Sequence, residues 1–164
     1  MKAPLPPNEQ ERLQALHGSG ILNSVPERSY DQLTELAATI CGTPIAILSF
    51  IDSDRQWFKS KLGIPFQETS REVSFCAHTI LQRDLLVVPD TVSDERFGDN
   101  PLVTSEPHIR FYAGAPLITP EGHAREVSGI SRAGMAQATH SHGSLIVCSA
   151  TLVLAGGERK VTAA

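Results

Sequence analysis

The sequence predicts an α+β domain built on an antiparallel sheet, and three observations lead to that class. Two segments near the N-terminus carry helical apolar spacing between capping residues and glycines. The run TPIAILSFID then changes period to that of a buried strand, and RQWFKSKLG follows it across the turn Asp52-Ser53-Asp54 as a hairpin partner. A second strong strand, IRFYAGAPLIT, comes only after a helical insertion. Helices ahead of the first strand can cover one face of such a sheet. The middle insertions can cover the other face and enclose a cavity.

Taken in order, NEQERLQALHGSGIL opens with Asn8 as N-cap and with acidic Glu9 and Glu11 in the first turn. Leu13, Leu16 and Ile21 supply its apolar stripe, and Gly18 and Gly20 end it. NSVPE is a turn. RSYDQLTELAATICG is the strongest helix, with Leu33, Leu36, Ala37 and Ile40 on one face and Gly42 as its stop. After the hairpin, IPFQETSRE reads as a polar loop. A short helix forms around Cys76, with Ser74 before it as a cap. DLLVVPDT is a brief strand, and DERFGDNPLVTSE is a helical turn with an extended exit. In the hairpin, Trp57 and Phe58 alternate, so one is expected in the core and the other at a surface or interface.

The composition is that of an ordinary globular chain: 164 residues, 41% hydrophobic and 20% charged. This length suits one domain with a substantial core. The formal net charge of −4 speaks against bulk nucleic-acid binding, which favours a basic face. Cys41, Cys76 and Cys148 lie far apart, giving neither a disulfide framework nor a zinc knuckle. A reducing cytoplasm is the natural compartment. Prolines stand in MKAPLPPNEQ where a signal peptide needs an apolar core. The longest apolar run, Leu145 to Ala155, is too short to span a bilayer.

REVSFCAHTIL raises the question of chemistry. Residues two apart on a helix point about 200° away from each other, so Cys76 and His78 cannot grip one atom. A helix N-terminus can lower the pKa of Cys76; the plainer reading is a buried structural cysteine. His108, His123, His140 and His142 look like a metal set, but spacing fixes no third ligand, and no metal site is assigned. DTVSDERFGDN lacks the ligand order of a calcium loop, and its Asp and Asn residues suit turns. No glycine-rich phosphate loop is found.

The ordered phrases CGTPIAILSFID, DRQWFKSKLG, SFCAHTIL, LLVVPDTVSDERFGDNPLV and IRFYAGAPLITPEGH resemble the GAF domain family, in particular bacterial signalling GAF domains such as those of sensor histidine kinases and diguanylate cyclases. The resemblance implies a sheet of about six antiparallel strands with helices on both faces and a small-ligand pocket between sheet and middle helices. It divides the chain into an N-terminal helix and linker at 1–25, a domain core at 26–124 and an atypical segment at 125–164. In that segment AREVSGISRAGMAQATHSH stands where the family continues straight into a strand. Residues 125–142 therefore read as a poorly packed loop, with a late strand at 145–154. Either the hairpin carries an insertion or the reading frame changes near Ala124.

By the same resemblance, the ligand contacts fall to Phe75, Cys76, His78, Phe97, Asn100, Phe111, Tyr112 and Ala113. Phe75, Cys76, Phe97, Phe111 and Ala113 are candidate walls, and His78, Asn100 and Tyr112 are candidate polar contacts. Phe111 and Tyr112 face opposite sides of a strand, so only one can line the pocket. Ordinary core packing is the competing role for the aromatics. A bilin site in this family has cysteine followed directly by histidine, whereas Ala77 intervenes here.

The expected function is a regulatory small-ligand sensor in bacterial signal transduction, without catalysis. The ligand and any cofactor are unknown, no nucleic acid or membrane span is involved, and an output kinase or cyclase domain is the expected context. A homodimer is expected, pairing through the first helix by Leu13, Leu16 and Ile21 unless these dock on their own sheet. The alternatives are a dimerisation or scaffold module without ligand and a thiol-dependent reductase of the free methionine sulfoxide type. The latter needs a second cysteine within disulfide reach of Cys76.

Overall fold

The structure is a computed structural model describing residues 2–118 and, as backbone, 124–133. Its elements run α1 (Glu9–Gly18), α2 (Arg28–Cys41), β1 (Ile45–Ile51), β2 (Arg55–Leu62), β3 (Glu68–Ser70), a 3-10 turn (Arg71–Val73), α3 (Cys76–Thr79), β4 (Leu86–Val88), α4 (Pro101–Thr104), β5 (Ile109–Ile118) and β6 (Ala124–Ala133). The α+β class read from the sequence holds. Strands β3-β2-β1 and β5-β4 are joined through β6, in the order β3-β2-β1-β6-β5-β4, and every pairing is antiparallel.

The two faces of the sheet bury separate clusters. On one, Leu48, Phe50 and Trp57 meet Leu16 of α1, with Leu13, Ile21, Tyr30 and Leu33 packed against them. The stripe of α1 thus docks on its own sheet rather than standing free for a partner. On the other face, Ile51, Phe75, Cys76, Ile80, Phe97, Val103 and Tyr112 share one core. Because both faces are covered, Trp57 and Phe58 are both buried. The expectation that one of them lies at a surface fails for that reason.

Helix α2 ends as its glycine foretells, with Gly42 in the left-handed region at φ 59°. Its packed face matches the expected one at Leu33 and departs from it at Leu36 and Ile40. Thr34 and Ala38 are buried, whereas Leu36 and Ile40 are 52% and 41% exposed. Thr34 and Ala38 turn inward, and Tyr30 and Leu33 pack beside them against the cluster of Leu48, Phe50 and Trp57.

The register of β1 on β2 skips one residue, pairing Ser49 with Phe58 and Leu48 with Ser60. A bulge of this kind turns two successive side chains toward one layer. Lys59 and Ser60 accordingly both reach the α1–α2 layer. Lys59, with no exposed side-chain surface, binds Glu27 at 2.9 Å, Ser24 Oγ at 2.6 Å and the Val25 carbonyl at 2.7 Å. Ser60 donates to Asp31 at 2.7 Å. The polar residues of a nominally amphipathic strand thereby fasten the helix linker to the sheet.

Two readings change in the remaining segments. IPFQETSRE contains the short edge strand β3 and a 3-10 turn, not only loop. The segment read as a loop over 125–142 is a strand in its first part. β6 pairs with β1 from Ile45–Ser131 to Phe50–Glu126 and with β5 on its other side. Pairing on both edges supplies the backbone hydrogen bonds that its weak apolar pattern does not advertise. The late strand expected at 145–154 lies outside the described residues. Among the described residues no helix is long and apolar enough to cross a membrane.

Candidate functional site

The sequence SFCAH starts α3 against the second face of the sheet. Ser74 Oγ accepts from the Ala77 amide at 3.0 Å, which is the cap expected of it. The same hydroxyl donates to Gln56 Oε1. The helix start is thereby tied to the start of β2. Gln56 Nε2 donates to Ser49 Oγ at 2.9 Å and to Cys76 Sγ at 3.0 Å. The Tyr112 hydroxyl completes the group, 3.4 Å from Cys76 Sγ and 2.6 Å from Thr79 Oγ1. Gln56 and Ser49, both fully buried, were not singled out in the sequence. A polar residue at an inward-facing strand position was the available signal.

Tyr112 reaches this group because the residue two positions on is Gly114. A Cβ there would lie 2.0 Å from the Tyr112 hydroxyl, so the phenol lies across bare backbone. Burial pushes both the Cys76 thiol and the Tyr112 phenol above their ordinary pKa values. The helix start does not activate the thiol; removal from water wins over it. Cys41 ends α2 on the far side of the sheet, so it stands apart from Cys76. In the native full chain, Cys76 is expected to resist a disulfide thiol reagent at pH 8 and to react only after denaturation. Thiol counting before and after guanidinium checks this.

A cavity of about 40 Å³ opens beside this group. Its walls are Ile45 and Ile47 of β1, Phe58 of β2, Ile64 and Phe66 of the following loop, Leu102 of α4, Pro107, and Ile109 at the start of β5. Phe75 completes the apolar lining. Gln56, Thr69, Cys76 and Tyr112 supply its polar atoms. Of the eight residues expected at a ligand, Phe75, Cys76 and Tyr112 line this cavity. The other five stand elsewhere. Phe97 is fully buried and stacks on Phe75 with centroids 4.2 Å apart. His78, half-buried, sets its ring edge-on to Phe97 at 4.8 Å. Phe111 is half-buried on the strand face opposite Tyr112, as alternation requires, and Ala113 is buried outside the lining.

Asn100 is occupied by local structure. Its Oδ1 accepts from the Leu102 amide, capping α4, and its Nδ2 donates to the Val73 carbonyl, both at 2.9 Å. Asn100→Ala is expected to cost about 2 kcal/mol, summing about 1 for a cap and about 1 for a buried hydrogen bond. Urea unfolding of the variant measures it.

The comparisons with known proteins agree with this architecture. The model of the GAF domain family matches residues 26–150. Over 119 residues the chain is 41% identical to a cyclic di-GMP phosphodiesterase of Pseudomonas aeruginosa, a match covering 73% of this chain. The chain spans about 20% of that protein's length. Among solved structures, the GAF domain of a phosphoenolpyruvate-protein phosphotransferase from Coxiella burnetii aligns with a TM-score of 0.54 at 11% identity, covering 79% of this chain and 82% of that one. The A. aeolicus nlh2 GAF domain in an inactive state gives 0.51 at 11% identity, covering 78% and 83%. A type II free methionine-R-sulfoxide reductase from Thermoplasma acidophilum gives 0.52 at 10% identity, covering 66% and 77%. At such identities the structural likeness speaks for the fold. With most of its length matched by the family's model, the chain belongs to the GAF domain family.

Proposed function

We propose that this chain is a small-ligand-sensing regulatory module of bacterial signal transduction, cytoplasmic and without catalysis of its own. The observation that carries the reading is the cavity between the six-stranded sheet and α3. Its wall includes Cys76 at the start of α3 and Tyr112 in the middle of β5, so an occupant touches both the insertion and the sheet. By its similarity to the P. aeruginosa phosphodiesterase, the module would govern a linked output domain that makes or breaks a signalling nucleotide, or a kinase. The reductase alternative is the weaker one, because Cys76 is 1% exposed and burial keeps its thiol protonated.

Native mass spectrometry of the full chain tests the reading. A bound small molecule, released on denaturation and lost in Ile47→Phe, is the expected result. A protein that carries nothing, and takes up nothing from a cell extract, would instead favour the dimerisation module. One observation supports that second reading: Leu36 and Ile40 lie one turn apart on α2 and stand exposed. Light scattering of Leu36→Glu/Ile40→Glu separates the two, since only a dimer held by this face falls to monomer.

A further inference from the structure

We infer that the cavity takes a neutral, wholly apolar ligand of a few heavy atoms and is not a site for a phosphate-bearing nucleotide. This inference rests on the sensing reading above and names the chemistry of its ligand.

Charge argues first. Among the described residues, no Lys, Arg, Asp or Glu lines the cavity. A buried phosphate needs charge-assisted donors, most often from arginine or lysine or from backbone amides at a helix start. Among the described residues, the two buried arginines, Arg12 and Arg71, bind Glu9 and the Ile51 and Asp52 carbonyls, and neither lines the cavity.

Hydrogen bonding argues second. Among the described residues, the polar side chains on the wall are already hydrogen-bonded to one another or to buried neighbours. Both Gln56 Nε2 bonds go to Ser49 and Cys76, and Gln56 Oε1 accepts from Ser74 and from Thr69. Tyr112 is held by Thr79 and Cys76. A ligand carbonyl would have to break one of these bonds to gain a donor, an exchange with no net gain. A hydrocarbon surface meets Ile45, Ile47, Phe58 and Ile109 without that loss.

Size argues third. Drug-sized ligands occupy roughly 300–1,000 Å³, against about 40 Å³ here. Dry apolar cavities take xenon or small hydrocarbons. The cavity is partly open to solvent, and Ile64, Phe66 and Thr69 of its wall are themselves half-exposed, which gives a small ligand its way in.

The test uses the full chain with ¹³C-labelled isoleucine δ1 methyls and three probes: xenon, cyclic di-GMP and cyclic AMP. Xenon is expected to give saturable shifts at Ile45, Ile47, Ile64 and Ile109, with Ile21 and Ile40 unmoved. Both nucleotides at millimolar concentration are expected to leave the four cavity methyls unmoved. Ile47→Phe should abolish the xenon shifts by filling the space, and Ile47→Val, which folds more safely, should retain or enlarge them. Nucleotide-induced shifts at those four methyls would overturn the apolar assignment and leave the sensing reading standing. Absence of any xenon shift would also overturn the assignment. The sensing reading is judged separately, by whether the native mass spectrum, or headspace gas chromatography of the denatured full chain, shows a retained molecule.

Discussion

Phe97→Ala is expected to lower the unfolding free energy of the full chain by about 4 kcal/mol, within the roughly 3–5 kcal/mol seen for buried Phe→Ala changes. The ring is wholly buried. It stacks on Phe75, receives the edge of His78, and has the Arg96 guanidinium 5.0 Å above its face. Truncation removes the transfer term and three aromatic or cationic contacts, and it leaves a hole that α3 and the 94–100 turn cannot close without moving. For a domain stable by about 5–15 kcal/mol, such a loss is large, so urea unfolding should be run in the cold. Phe97→Leu should cost well under half as much. Phe97 does not line the cavity. Any molecule retained by folded Phe97→Leu should therefore match the wild type in stoichiometry. A change in retention with little change in stability would move Phe97 from core to ligand contact.

Glu9→Gln should cost about 3 kcal/mol, the low end for breaking a buried ion pair from one side. Glu9 accepts from Arg12 Nε at 2.7 Å and from its Nη2 at 2.8 Å, and it also accepts from Arg71 Nη1. Both arginines are buried, and among the described residues Arg71 Nη2 has no hydrogen-bond partner. Glutamine keeps the shape but leaves two guanidiniums without a counter-charge. Acid should imitate the mutation. Burial alone would raise the Glu9 carboxyl, but the hydrogen bonds and charges of Arg12 and Arg71 outweigh it and hold it below 4.5. A depressed carboxylate contributes stability above its unfolded pKa and loses it as pH falls through the folded value. The wild type should therefore weaken below about pH 4.5, and Glu9→Gln should show a shallower slope. Asp52 and Asp94 are also held low, so part of the acid slope should survive. An unchanged slope in Glu9→Gln would remove Glu9 from the account.

Much of the architecture was legible locally. The change of period at TPIAILSFID, the Asp52–Asp54 turn and Gly42 in the left-handed region each follow from one residue's preference or a short repeat. The Ser74 cap and the opposition of Phe111 to Tyr112 are equally local, since neighbours two or three residues away decide them. The site was legible only in part. Phe75, Cys76 and Tyr112 reach the cavity, while Phe97 and Asn100 are spent on packing and capping. Aromatic and amide residues serve either role with the same local pattern.

What the tertiary structure alone decided depends on partners distant in the chain. Helix α2 buries Thr34 and Ala38, packs Tyr30 and Leu33 beside them and leaves Leu36 and Ile40 exposed, because the sheet it docks on sets its rotation. Trp57 and Phe58 are both buried because α1 and α2 cover one face while α3 and α4 cover the other. Gln56 becomes the centre of the polar group only once Ser49 of β1, and Ser74 and Cys76 at the start of α3, are brought to it from two other segments. β6 is a strand because β1 and β5 supply backbone partners on both its edges, and pairing of that kind leaves no periodic mark in the residues that receive it.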